Sequence, residues 1–242
     1  MEFKSKNRIY ENYNAHALVY EDITVKGLKR WIGYYRAHYL KLLPKNKNSK
    51  ILDVGCGYGR MLYFLNNEGY RNIYGIDTSQ QQVETAIQNG LNYVEHASAF
   101  KFLENKKEQY DTIIMIDVLE HIEKTEVLEL LDKVYFSLKA GGSIILQLPN
   151  ALTPFNVFLY QDFTHETAYT RASISQLLST TGFENIRVFP IVPHIHGPKS
   201  LISHLMWKVV WQNLIKLYML TANGNLMGNI YTSNLIAYAE KM

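Results

Sequence analysis

Short apolar runs alternate with amphipathic stretches along the middle of the chain. Residues 50–54, 72–77, 92–95, 110–116 and 143–148 have the length and apolarity of strands in a buried sheet. The spacing predicts helices between them over Gly59–Glu68, Ser79–Gln88 and Lys124–Leu138. In the last, Val127, Leu128, Leu131, Val134, Tyr135 and Leu138 recur at helical intervals, and Gly141-Gly142 reads as its stop. Upstream, Lys26–Leu43 reads as a helix stopped by Pro44. Downstream of Asn150 lies a long irregular stretch. A helix over Ser173–Thr180, a strand over Asn185–Val192, one long helix or a broken pair over Leu201–Thr221, and a last strand over Asn234–Glu240 follow it. Repeated β-α units predict an α/β fold with a parallel sheet and right-handed crossovers.

The pattern divides into a helical N-terminal cap, residues 1–44, and one larger domain, residues 45–242, with an insert over 193–230. With 47% hydrophobic and 19% charged residues, a packed core is expected. A net charge of +3, with no basic run beyond Lys45, Lys47 and Lys50, argues against a nucleic-acid partner. The single cysteine, Cys56, cannot form an intrachain disulfide, which fits a reducing cytoplasm. The N-terminus has no signal-peptide pattern, and the greasiest stretch, 201–220, is interrupted by His204, Lys208, Gln212, Asn213 and Lys216.

Chemistry concentrates where strands end. In Asp53-Val-Gly-Cys-Gly-Tyr-Gly59 the chain turns on glycines between a strand and a helix. Such turns let a ligand approach the main chain and meet the unpaired N–H groups of the helix. A nicotinamide loop would read G-x-G-x-x-G. Here the third glycine comes one residue early, Arg60 follows it, and Asp53 stands where a pyrophosphate would be repelled. Asp77 closes the second strand, where an acid accepts hydrogen bonds from ribose hydroxyls. Asp117 follows the fourth strand, and open α/β sheets bind ligands at these carboxyl ends.

These motifs, with Gly75-Ile-Asp77, Asp111–His121 and Gly141–Asn150, resemble those of class I S-adenosylmethionine (SAM)-dependent methyltransferases. The resemblance implies a Rossmann-like αβα sandwich with a seven-stranded, mostly parallel sheet in the order 3-2-1-4-5-7-6, the seventh strand antiparallel. It implies SAM as cofactor and S-adenosylhomocysteine as product. Asp53, Gly55, Cys56, Gly57 and Gly59 would lie around the methionine part and Asp77 around the ribose, with Thr78 and Asp117 as further cofactor contacts. Relatives often carry an adenine-binding acid after the third strand. This chain has Ser98 there, so adenine would rest on the backbone near Ser98 and Ala99.

The stretch Leu148–Thr170 is similar to a block in methyltransferases of bacterial surface-polysaccharide and glycan assembly, and points to a hydroxyl on a small or sugar-linked acceptor. Removing that proton calls for a base. His165 is the leading candidate, with Asp162 or Glu166 to orient it, and His121 is the second. Asp162 and His165 could instead cap a turn, and His121 could be structural. Asp117, Glu120 and His121 at i, i+3, i+4 could share a helical face. Some ubiquinone-pathway O-methyltransferases hold a divalent metal with such a trio, but cofactor contact or capping is the preferred reading here, with no metal. His194 and His196 read as pocket lining or plain loop. The helix over 201–220 could pack on the domain, pair with a second copy or touch a membrane surface. An N-methyltransferase, a methyltransferase for a phosphate-linked group, a nicotinamide-dependent oxidoreductase and a non-catalytic SAM-binding subunit are the alternatives.

Overall fold

A computed structural model describes residues 22–154, 157–192, 195, 197–226 and 230–242. The described residues begin with helix α1 (Val25–Tyr39). Then β1 (Ile51–Val54), α2 (Arg60–Asn67), β2 (Ile73–Asp77), α3 (Gln80–Gln88) and β3 (Val94–His96) alternate. A short helix α4 (Ala99–Leu103), β4 (Tyr110–Ile116), a single 3-10 turn (Leu119–His121) and α5 (Val127–Ser137) follow. The chain continues through β5 (Leu138–Pro149), α6 (Val157–Gln161), α7 (Arg171–Thr181) and β6 (Glu184–Pro190). It ends with α8 (Pro198–Met206), a π-helical turn (Trp207–Trp211), α9 (Gln212–Asn223) and β7 (Asn234–Glu240).

The sheet order is β3-β2-β1-β4-β5-β7-β6, with β7 antiparallel to both neighbours. Side chains alternate across each strand, which gives the sheet two cores. Leu52, Val54, Ile113, Met115, Ile144 and Leu146 face α5 and α7 through Leu130, Leu131, Val134, Ile174 and Leu178. Ile51, Ile114 and Ile145 face α1 and α2 through Tyr35, Tyr39, Met61, Leu62 and Phe64. The ring of Tyr35 lies 5.6 Å from that of Phe64, so α1 shares the core of the main sheet.

Gly141-Gly142 does not stop a helix. Helix α5 already ends at Ser137, and β5 begins at Leu138 and runs through the glycine pair. Gly141 adopts φ +74°, and the β4–β5 register shifts beside it, between Tyr110 and Thr112. The pair is a bulge at the strand's start. Helix α7 begins earlier than its periodicity suggests, because Thr170 and Ser173 cap it reciprocally. The stretch Leu201–Thr221 is continuous helix from Pro198 to Asn223, with the π turn in its middle.

Candidate active site

The loop after β1 is built from backbone conformations that side chains resist. Gly55 (φ +71°) and Gly59 (φ +93°) are left-handed. A Cβ on Gly55 would stand 2.3 Å from Val118 Cγ2, and one on Gly59 would stand 2.1 Å from Leu91 Cδ1. The loop therefore needs glycine both for conformation and for space. The Cys56 side chain turns into the core, so close to Gly75 that a Cβ there would lie 2.8 Å from Cys56 Sγ. Burial pushes that thiol's pKa well above its ordinary value.

Asp77 ties the loop to the next strand. One carboxylate oxygen accepts the Gly57 N–H at 2.8 Å and the other the Ser79 N–H at 2.8 Å. Burial raises its pKa despite these bonds. Asp53 is buried at 2% exposure, and its Oδ2 has no hydrogen-bond partner among the described residues. Burial, then the nearby charge of Asp77, push its pKa well above the carboxylate range, opposed by Arg60. A buried acid with an unmatched oxygen beside an open glycine turn suits a cationic or hydrogen-bond-donating group. SAM carries such a group in its ammonium, so the residues present fit the cofactor.

Asp117 does not share a helical face with Glu120 and His121. It stands before the 3-10 turn at φ +54°, and both its carboxylate oxygens accept from Gln147 Nε2 at 2.9 Å. Gln147 Oε1 accepts from Tyr34 at 3.0 Å and from Tyr39. Gln147 thus couples α1 to the tip of β4. The sequence reading overlooked it, although an amide inside an otherwise apolar buried strand was the available signal. Ser98 stands at the start of α4 and makes no side-chain cap, so Ser98 and Ala99 present the first turn of that helix beyond β3. Thr78 lies between Asp77 and the N-cap Ser79, and its carbonyl meets His96 Nε2 at 3.0 Å.

The third group comes from the segment after β5. Thr164, fully buried, receives His121 Nδ1 at 2.8 Å and donates to Asp162 Oδ1 at 2.7 Å. The Thr164 N–H reaches the same oxygen at 2.8 Å. Burial pushes the Asp162 carboxyl up, but the two Thr164 bonds and the charges of His121 and His165 outweigh it, holding the pKa below its usual value. An ionised carboxylate only accepts, so the one hydroxyl proton of Thr164 goes to Asp162. Thr164 Oγ1 must then accept from Nδ1–H, which makes Nε2 the basic nitrogen of a neutral His121. His165 packs its ring 4.6 Å from that of His121, edge to face, and its backbone N–H donates to the Asp162 backbone carbonyl at 3.2 Å. The structure brings His121, His165 and Asp162 together, but the hydrogen-bonded chain from Asp162 runs to His121. Beneath them Glu120 is fully buried, and neither carboxylate oxygen has a partner among the described residues. Burial, then the charge of Asp117, push its pKa well up. Ligand atoms of Glu120, His121 and His165 lie within 4.8 Å of one another. His194 and His196 fall outside the described residues.

The sheet order, glycine turn and strand-tip acids are those of a Rossmann-like α/β fold, which holds its ligand at the carboxyl ends of the strands. The sequence profile of the methyltransferase-domain family matches residues 28–188, and the chain belongs to that family. It is a class I SAM-dependent methyltransferase. Among curated relatives, it is 37% identical over 81 residues to the ubiquinone biosynthesis O-methyltransferase of Rickettsia bellii. That match spans 32% of this chain and 33% of the relative, so the chain aligns with about a third of it. Among solved structures, a SAM-dependent methyltransferase from Archaeoglobus fulgidus superposes with a TM-score of 0.67 at 18% identity, over 89% of this chain and 96% of that one. Phosphoethanolamine N-methyltransferase 2 of Haemonchus contortus, with phosphomonomethylethanolamine and S-adenosylhomocysteine, gives a TM-score of 0.64 at 16% identity. That match covers 96% of this chain and 60% of the other. Both structures support the fold.

Proposed function

We propose that the protein methylates a hydroxyl of a small or glycan-linked acceptor in the cytoplasm, as a step of surface-polysaccharide assembly. SAM supplies an electrophilic methyl on a sulfonium. Asp53 and the glycine turn would hold its amino-acid tail, Asp117 would lie beside that tail, and Asp77 would hold the ribose. The backbone of Ser98 and Ala99 would face the adenine. The observation that carries the reading is the Asp162–Thr164–His121 chain. It orients a neutral imidazole whose Nε2 takes the hydroxyl proton, while Asp162 stabilises the cation that results. His165, in edge contact, completes the polar wall on the acceptor side. The similarity of Leu148–Thr170 to glycan-assembly methyltransferases supports the acceptor class. The R. bellii relative's printed activity supports transfer to oxygen.

A second reading is favoured by the Glu120, His121 and His165 cluster, whose buried and unmatched carboxylate suits a divalent cation. In that case the cation would lower the pKa of a bound hydroxyl and His121 would act as ligand rather than base. One experiment tests both. Nucleotide-linked sugars, catechols and primary amines are screened for SAM-dependent release of S-adenosylhomocysteine, with and without EDTA. Turnover of a hydroxyl acceptor that persists in EDTA is expected. Turnover of amines alone contradicts transfer to oxygen, and loss of activity in EDTA restored by Mg²⁺ or Mn²⁺ selects the cation reading.

A further inference from the structure

The run Pro198–Asn223 buries almost none of its side chains. Helix α8 and the π turn bury no residue, and α9 buries only Met219. Its large apolar side chains are nevertheless ordered. Ile202, Leu205, Met206 and Val209 follow the steps of one helical face, as do Leu214, Leu217 and Tyr218. Leu214 stands five positions after Val209, a step that would break the face in a plain α-helix. The π turn at Trp207–Trp211 closes i→i+5 bonds and takes up the extra residue, so both halves fall on one stripe. Each of the seven side chains is 44–65% exposed, too much apolar surface to leave in water without a partner.

The charge of the segment selects the partner. It carries Lys199, Lys208 and Lys216 and contains no aspartate or glutamate. Two copies joined through this stripe would bring lysines together with no acid in the segment to pair them. Anionic lipid headgroups supply the missing charge, and lysine stems are long enough to reach them while the stripe is buried. Trp211 and Tyr218, both exposed, add aromatic side chains that favour the headgroup level. No helix among the described residues is long and apolar enough to cross a membrane. The segment, roughly 40 Å long at 1.5 Å per residue, would therefore lie flat.

We infer that the 198–223 helix docks the protein on the surface of an anionic lipid bilayer. The inference does not depend on which acceptor is methylated. The test is co-sedimentation of the full chain with vesicles of phosphatidylcholine, alone or mixed with phosphatidylglycerol, together with quenching of tryptophan fluorescence by brominated acyl chains. At low salt, partitioning into the anionic vesicles is expected to exceed that into neutral ones by about tenfold and to fall as salt is added. The variant Ile202→Asp/Val209→Asp/Leu217→Asp changes only exposed positions. It should keep S-adenosylhomocysteine binding and its circular-dichroism melt while losing partitioning and quenching. Equal partitioning of variant and parent, absence of quenching, or a lipid-free dimer that the variant dissociates would each overturn the inference.

Discussion

His121→Ala is expected to lower kcat by about 10²–10³-fold, within the range that a positioned base contributes, while leaving the affinity for S-adenosylhomocysteine unchanged. The hydrogen-bonded chain from Asp162 through Thr164 reaches this ring. His165→Ala should therefore cost less, about tenfold, through loss of the edge contact that packs His121. Thr164→Val keeps the shape of the side chain and removes the bridge. It should lower kcat by about tenfold or more and move the acidic limb of the pH profile to lower pH, because the imidazolium loses its link to the Asp162 carboxylate. Steady-state kinetics of the three variants decide the matter. A larger loss in His165→Ala than in His121→Ala would give the base role to His165, and full activity in both would remove a histidine base from the account.

Asp77→Ala is expected to weaken S-adenosylhomocysteine binding by about 5–150-fold, the equivalent of roughly 1–3 kcal/mol for a lost buried partner. The loss has two sources. The ribose hydroxyls would lose their acceptor, and the N–H groups of Gly57 and Ser79 would be released from the carboxylate that holds the glycine turn against β2. Asp77→Asn keeps one acceptor oxygen and should fall between alanine and the parent. Calorimetric titration of the three proteins at one temperature measures the effect, and unchanged affinity in Asp77→Ala would show that the ribose lies elsewhere.

The strand tips were legible in the sequence because backbone needs leave a mark there. Only glycine tolerates the positive φ and the close approach of Val118 and Leu91 at Gly55 and Gly59, so the turn announces itself. The sheet order followed from the resemblance those motifs carry, and its antiparallel last strand is as that resemblance implied. Contacts made across long sequence distances were not legible. Gln147 meets Tyr34 and Tyr39 more than a hundred residues away, and nothing in the local pattern of α1 marks those two tyrosines among eighteen. The glycine pair 141–142 is ambiguous for a local reason, since a helix stop and a glycine strand bulge can both place a glycine at positive φ, as Gly141 is. The trio Asp117, Glu120 and His121 was read on a helical wheel, but only a 3-10 turn forms there. Glu120 consequently turns into the core, while Asp117 turns to Gln147 on the neighbouring strand.

A crystal structure of the protein with S-adenosylhomocysteine examines the shared pocket most directly. The account predicts its ammonium within hydrogen-bond distance of Asp53 and its ribose diol on Asp77, with the sulfur turned toward His121. A nucleoside bound away from these two acids, or Asp53 still unmatched with the ligand in place, would contradict it.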